Sequence, residues 1–204
     1  MKLKYYLNQH PAIKQWVHRL LVKPNEARPS LISRLIVNPL FHRISREATI
    51  RSSVRRDLFP FNPFSIGRKS IIEDFATVNN GVGEVRIGEG SRVGIGNVLI
   101  GPVEIGNNCI LAQHVVISGL NHGYESPEIP IKLQAVKTNK ITIEDDCWIG
   151  ANVSIAAGVT IGKHSVVGAG STVTKSIPPL HVAVGNPARL IKRYDDSRKE
   201  WVKL

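Results

Sequence analysis

The chain has 204 residues, the size of one ordinary domain with room for a small appendage. Leu, Ile and Val supply 59 of them and aromatics only 6%, so an aliphatic core is expected. The whole formal charge of +11 arises in residues 1–70, which hold 14 Lys and Arg against 3 Asp and Glu, while residues 71–204 balance at 13 of each. A nucleic-acid binder carries its charge along its whole binding face, so no nucleic-acid partner is expected. No apolar run approaches the roughly 18–20 residues of a membrane span. Lys2 and Lys4 are followed by Asn8, Gln9 and His10, which is not a secretory leader. Two cysteines make neither a disulfide framework nor a zinc motif, so reduced thiols and a cytoplasmic location are expected.

Residues 1–43 read as a basic segment of short helical pieces, Gln15–Leu21 and Leu31–Val37, broken at Pro11, Pro24, Pro29 and Pro39. A repeat begins weakly at Ile44 and Ile50, with Ala48 and Val54, and continues through Ile66, Ile72 and Val78. Three residues are inserted around Gly81–Gly83. From there every sixth residue is aliphatic: Ile87, Val93, Leu99, Ile105, Leu111 and Ile117, then Ile143, Ile149, Ile155, Ile161, Val167 and Val173. Gly often follows the aliphatic, and a small or β-branched residue usually stands four positions after it. A period of six fits neither an amphipathic helix nor a lone alternating strand. It fits a short strand and a tight turn, three of which make a triangular coil with both repeat positions pointing inward. Gly beside the aliphatic is expected to supply unusual backbone angles at the corners. Stacked coils form parallel strands about 4.8 Å apart, which makes a β-solenoid of residues 44–186. The step from Ile117 to Ile143 is no multiple of six, so residues 122–140 read as a functional excursion. Residues 187–204 are expected to form a helical cap.

The segments ITIEDDCWIGANVSIAAGVTIGKHSVVGAGSTVTKSIPP, VAVGNPARLIK and NHGYESPEIPI resemble the hexapeptide-repeat acyltransferases. The similarity is greatest to their galactoside, maltose and polysaccharide O-acetyltransferase branch. It covers roughly residues 66–192. The resemblance implies a left-handed parallel β-helix, usually a homotrimer, that transfers acetyl from acetyl-CoA to a hydroxyl or, less often, an amine. The active site would lie in the cleft between two solenoids.

By that resemblance His122 is the general base, and imidazole, with an unperturbed pKa of about 6.5, suits the task. His114 is its nearest rival and a candidate acceptor contact. Trp148 stands at an outward position and, by resemblance, lines the cleft near pantetheine. The backbones of Ala151 and Ala169 match CoA contacts, while Thr174, Lys175, Arg189 and Lys192 match positions near the CoA phosphates and adenine. Asn79 and Asn80, in EDFATVNN, match an acceptor-holding Asn with an offset of about one residue. An acid that contacts galactosides in the family would fall near Leu99–Pro102, where this chain has none. Cys109 and Cys147 read as core, not as nucleophiles. No metal is expected, because His114 and His122 lack a close third histidine.

The function expected is acetyl transfer to a sugar hydroxyl, with a surface polysaccharide unit as the candidate acceptor. The alternatives are N-acetylation of an amino sugar or small amine, and a non-catalytic β-helix scaffold or metal-binding protein. The basic residues 1–43 either cap the first coil, the favoured reading, or dock on anionic lipid.

Overall fold

The computed structural model describes residues 9–204 apart from 24, 25 and 27. The expected break at Pro24 and the N-terminal residues 1–8 lie outside the described residues. Three parallel sheets form the walls of a triangular prism. Sheet one stacks β1 (Arg43–Ile44), β4 (Phe64–Ile66), β7 (Val85–Ile87), β10 (Val103–Ile105), β15 (Ile141–Ile143) and β18 (Thr160–Ile161). Sheet two stacks β2 (Thr49–Ile50), β5 (Ile71–Ile72), β8 (Arg92–Val93), β11 (Ile110–Leu111), β16 (Trp148–Ile149) and β19 (Val166–Val167). Sheet three stacks β3 (Arg55–Asp57), β6 (Thr77–Asn79), β9 (Val98–Ile100), β12 (Val116–Ser118), β17 (Ser154–Ile155) and β20 (Thr172–Val173). All twelve aliphatics of the repeat are buried in the prism. The solenoid therefore starts at residue 43, in line with the weak signal at Ile44 and Ile50.

The corners explain the rest of the repeat. A corner turns the backbone off the sheet ladder, and its polar groups need other partners. Along the edge between sheets one and two, Ser70, Ser91, Cys109, Cys147 and Ser165 point inward. Each donates to a carbonyl one coil on: Ser91 Oγ to Gly106 O at 2.7 Å, Cys109 Sγ to Glu144 O at 3.0 Å and Cys147 Sγ to Gly162 O at 3.2 Å. The small inward residue is thus also a corner hydrogen-bonder. Left-handed backbone falls three positions after the aliphatic, at Lys69, Phe75, Asn108, His114, Asp146, Asn152 and His164 among others. This corrects the expected role of the glycines that directly follow the aliphatics. They are needed for close approach: a Cβ on Gly88 would sit 2.6 Å from the carbonyl carbon and oxygen of Gly106 in the next coil.

Coil length varies at one edge only. Arg43 pairs with Ser65, Phe64 with Val85, Val85 with Val103 and Val103 with Ile141, steps of 22, 21, 18 and 38 residues. Every residue in excess of 18 lies between sheet three and sheet one. The largest insertion is an arm in which β13 (Leu120–His122) pairs antiparallel with β14 (Val136–Thr138), followed across a loop that contains a single turn at Ile131–Leu133.

Both termini depart from expectation. Helix α1 (Pro11–Leu21) is longer than the sequence suggested and starts at Pro11, where proline's missing N–H costs nothing. Pro39 does not break the second piece. A π-turn, Ser33–Val37, runs into α2 (Asn38–Phe41) with Pro39 in its first turn. The expected C-terminal helix is absent. In its place β21 (His181–Gly185), β22 (Ala188–Asp195) and β23 (Glu200–Lys203) run as an antiparallel ribbon that continues sheet two beyond its last coil. Gly185-Asn186-Pro187 is a hairpin turn, and Gly185 adopts φ +103. The second turn is set by Asp195 Oδ1, which accepts from Ser197 N at 3.0 Å and Arg198 N at 3.2 Å. The open edge of sheet two offers ladder partners that outweigh the local helix tendency of Arg-Leu-Ile-Lys-Arg.

Candidate active site

The prism sorts the candidate residues onto two sides. The edge between sheets three and one carries His122, Asn79, Thr174 and Lys175. His122 is exposed near the base of the arm, opposite Val136 across the β13–β14 ladder. The arm's exit is tied down by Lys140, whose ammonium bridges Glu84 at 3.3 Å and Glu104 at 2.5 Å. Those carboxylates hold the Lys140 pKa above its ordinary value. Glu125 pairs with Lys137 and accepts from Tyr124 N, so it is committed to the arm itself.

Asn79 and Asn80 separate cleanly. Asn80 is fully buried; its Oδ1 accepts from Phe59 N at 2.6 Å, and its Nδ2 donates to Phe59 O at 3.0 Å and Asn62 O at 2.6 Å. Every arm of that amide is spent on the corner, which removes Asn80 as an acceptor contact. Asn79 is half-buried and lines a cavity of about 720 Å³ together with His18, Arg19, Phe59 and Phe61. The two phenylalanine rings stack with centroids 5.1 Å apart. Sequence reasoning missed α1 as a wall of this cavity, because nothing local links residues 18–19 to residue 79.

The opposite side carries the remaining candidates. Trp148 is 54% exposed on the outer surface of sheet two. Register places it in one column with Val166, Val182 and Lys192. The ribbon thus brings Lys192 into the Trp148 column, with Arg189 further along the same strand opposite Val184. Ala151 and Ala169 follow on the edge between sheets two and three, and a Cβ on Gly150 would sit 2.5 Å from Ala169 N. The N–H groups of Ala151 and Ala169 make no hydrogen bond among the described residues. On the preceding edge three of the corresponding groups are capped by side chains: Glu89 N by Asn107, Asn107 N by Asp145 and Lys163 N by Glu144. The N–H groups of Ala151 and Ala169 are thus open donors on the edge that follows Trp148. His114 stands on this same edge, so it does not share a site with Asn79 inside one chain. Cys147, buried beside Cys109, has its thiol pKa pushed up by that neighbour and by burial, which fits a core residue. No group of three or more His, Cys, Asp or Glu is placed to hold a metal ion among the described residues.

The repeats themselves have a known counterpart. The family described as Bacterial transferase hexapeptide (six repeats) matches residues 84–119 and 140–175, the two regular stretches on either side of the arm. Over those two stretches the chain carries repeats of that bacterial transferase type. A putative lipopolysaccharide biosynthesis O-acetyl transferase of Escherichia coli is 37% identical over 108 residues, 50% of this chain and 55% of that protein. A galactoside O-acetyltransferase of Lactococcus lactis is 36% identical over 134 residues, 65% of this chain and 64% of that one. The chain spans about half the length of the first curated relatives it matches. Among solved structures, a mutant N-acyltransferase from Bacillus cereus in complex with dTDP-4-amino-4,6-dideoxyglucose and coenzyme A is 27% identical, with a TM-score of 0.57 over 76% of this chain and 82% of that one. A hexapeptide-repeat containing acetyltransferase from Vibrio cholerae shares the fold, with a TM-score of 0.55 and 24% identity over 91% of this chain and 93% of that one.

Proposed function

We propose that this hexapeptide-repeat protein is an acetyl-CoA-dependent O-acetyltransferase whose acceptor is a sugar hydroxyl, and that it works as a homotrimer. The observation that carries the reading is the division of the candidate residues between opposite sides of one prism. His122 and Asn79 on one chain would face Trp148, Ala151 and Ala169 on the next, so each cleft needs two chains. Acetyl-CoA would lie along the Trp148 side. The free N–H groups of Ala151 and Ala169 suit the pantetheine amides or the oxygen that gains charge as the thioester is attacked. Arg189 and Lys192 on that side, and Lys175 with Thr174 from the His122 side of the neighbouring chain, offer cations for the CoA phosphates.

The reaction is a direct transfer. His122 takes the proton of the acceptor hydroxyl as that oxygen attacks the thioester carbonyl. The tetrahedral centre then expels the CoA sulfur, the C–S bond breaks, and the proton held by His122 passes to the departing thiolate. The buried, structurally engaged cysteines argue against a covalent acetyl-enzyme. The O-acetyltransferase relatives support a hydroxyl acceptor. The Bacillus cereus N-acyltransferase supports a second reading, an amino sugar, through the same base.

The test is thiol release from acetyl-CoA with a panel of sugars, nucleotide sugars and amino sugars. We expect a subset of hydroxyl acceptors to be turned over, and His122→Ala to lower kcat by about 10²–10⁴-fold. Acceptance of amines alone would select the second reading. Equal rates for wild type and His122→Ala with every acceptor would remove the base assignment.

A further inference from the structure

The N-terminal helices are docked the wrong way round for a soluble cap. In the segment Leu31–Phe41 the buried side chains are polar: Ser33 and Asn38 face the solenoid, and Asn38 Nδ2 donates to Leu58 O at 2.7 Å. The apolar side chains face out. Leu31, Leu35, Ile36 and Leu40 are between 64% and 79% exposed. Their spacing makes one stripe along the helical surface. A groove of about 410 Å³ joins this stripe to the first coil, lined among others by Arg34, Leu35, Ile44 and Arg56. Arg34, Arg43, Arg46, Arg51 and Arg56 are exposed and make no ion pair among the described residues.

An aliphatic stripe bordered by unpaired arginines matches a surface that is apolar beneath and anionic on top. We propose that this end of the solenoid docks on an anionic phospholipid bilayer, with the Leu31–Phe41 segment lying in the interfacial plane. In that position Leu35, Ile36 and Leu40 enter the acyl boundary and the arginines meet lipid phosphates. A second copy of the chain is a poorer occupant. Face-to-face contact of this patch would bring the two sets of five arginines together with Glu47 as the one exposed carboxylate between Arg34 and Arg56 to answer them. The proposal does not depend on the acyl-transfer reading.

The test is flotation of the full chain with phosphatidylcholine vesicles, with and without about one third phosphatidylglycerol, at low salt. We expect flotation with the anionic vesicles only. Leu35→Asp with Leu40→Asp should abolish it, and Arg34→Gln with Arg56→Gln should weaken it about fivefold per arginine. These positions are exposed, so far-UV circular dichroism should show every variant folded. The proposal is overturned if the wild type fails to float with anionic vesicles at low salt. It is also overturned if the folded variants float as well as wild type, or if Leu35→Asp with Leu40→Asp lowers the solution mass, which would assign the stripe to a contact between copies.

Discussion

His42 sits at the junction of the N-terminal helices and the first coil, where its ring meets Phe64 edge-on with centroids 6.0 Å apart. Its pKa is held below the ordinary 6.5 by burial, which disfavours the imidazolium. The unfolded chain therefore binds a proton more readily at this position. The stability contributed by neutral His42 is fully present above pH 6.5 and is lost as pH falls through the lower folded-state pKa. Melting temperature should fall between pH 7.5 and pH 5.5, and His42→Phe should reduce that fall. An unchanged pH dependence in the variant would move the effect elsewhere. His42 was not legible as special in the sequence, since its burial depends on Phe64 and on the helices folding back. His122, in contrast, stood out by its place where the repeat stops. Asn80 looked equivalent to its neighbour Asn79, and only the backbone of Phe59 and Asn62 distinguishes them.

The six-residue unit behaves as an element in its own right. Its aliphatic residue and its small residue were readable because burial and limited space leave few alternatives. The glycine is legible as a recurrent feature, but its reason lies in the next coil. The neighbouring coil's backbone, and no unusual φ, forbids a side chain at Gly88. Gly88→Ala should accordingly cost about 1–3 kcal/mol, the range for forcing atoms into a packed interior. Gly170→Ala meets no atom within 4 Å and should suffer only the strain of φ +70. Urea denaturation of both variants checks this, and a larger loss for Gly170→Ala would reverse the ranking. The C-terminal ribbon departs from the expected helix because a run such as Ala188–Asp195 carries no burial pattern of its own. The free edge of sheet two decided its conformation. The turns at Gly185-Asn186-Pro187 and Asp195–Lys199 were the available signal.

Across the whole molecule, irregularity is gathered on one edge of the prism. Insertions cost little where coils turn at the surface, and the regular walls on both sides keep their register. Because His122 and Trp148 stand on opposite sides, loss of either should damage a different half of each proposed cleft. Mixing inactive His122→Ala chains with inactive Trp148→Ala chains, followed by reassembly, should regenerate intact clefts. Random association in a closed ring gives roughly one quarter of wild-type activity. No recovery after demonstrated subunit exchange would mean that each site is built within one chain.

The sequence by itself determined the solenoid, its coil length, its inward residues and the position of the arm. Those features follow from a period that repeats through contacts between equivalent neighbours, so each unit reports the same physics. The tertiary structure alone decided which residues share a side. Trp148 and Lys192 share one column because the ribbon folds back along sheet two, and His18 and Asn79 line one cavity because α1 packs beside that edge. It also decided that the basic segment turns its apolar stripe outward. A polar foothold at Ser33 and Asn38 anchors that segment, and no local pattern announces which side of a short helix a coil's carbonyl will claim.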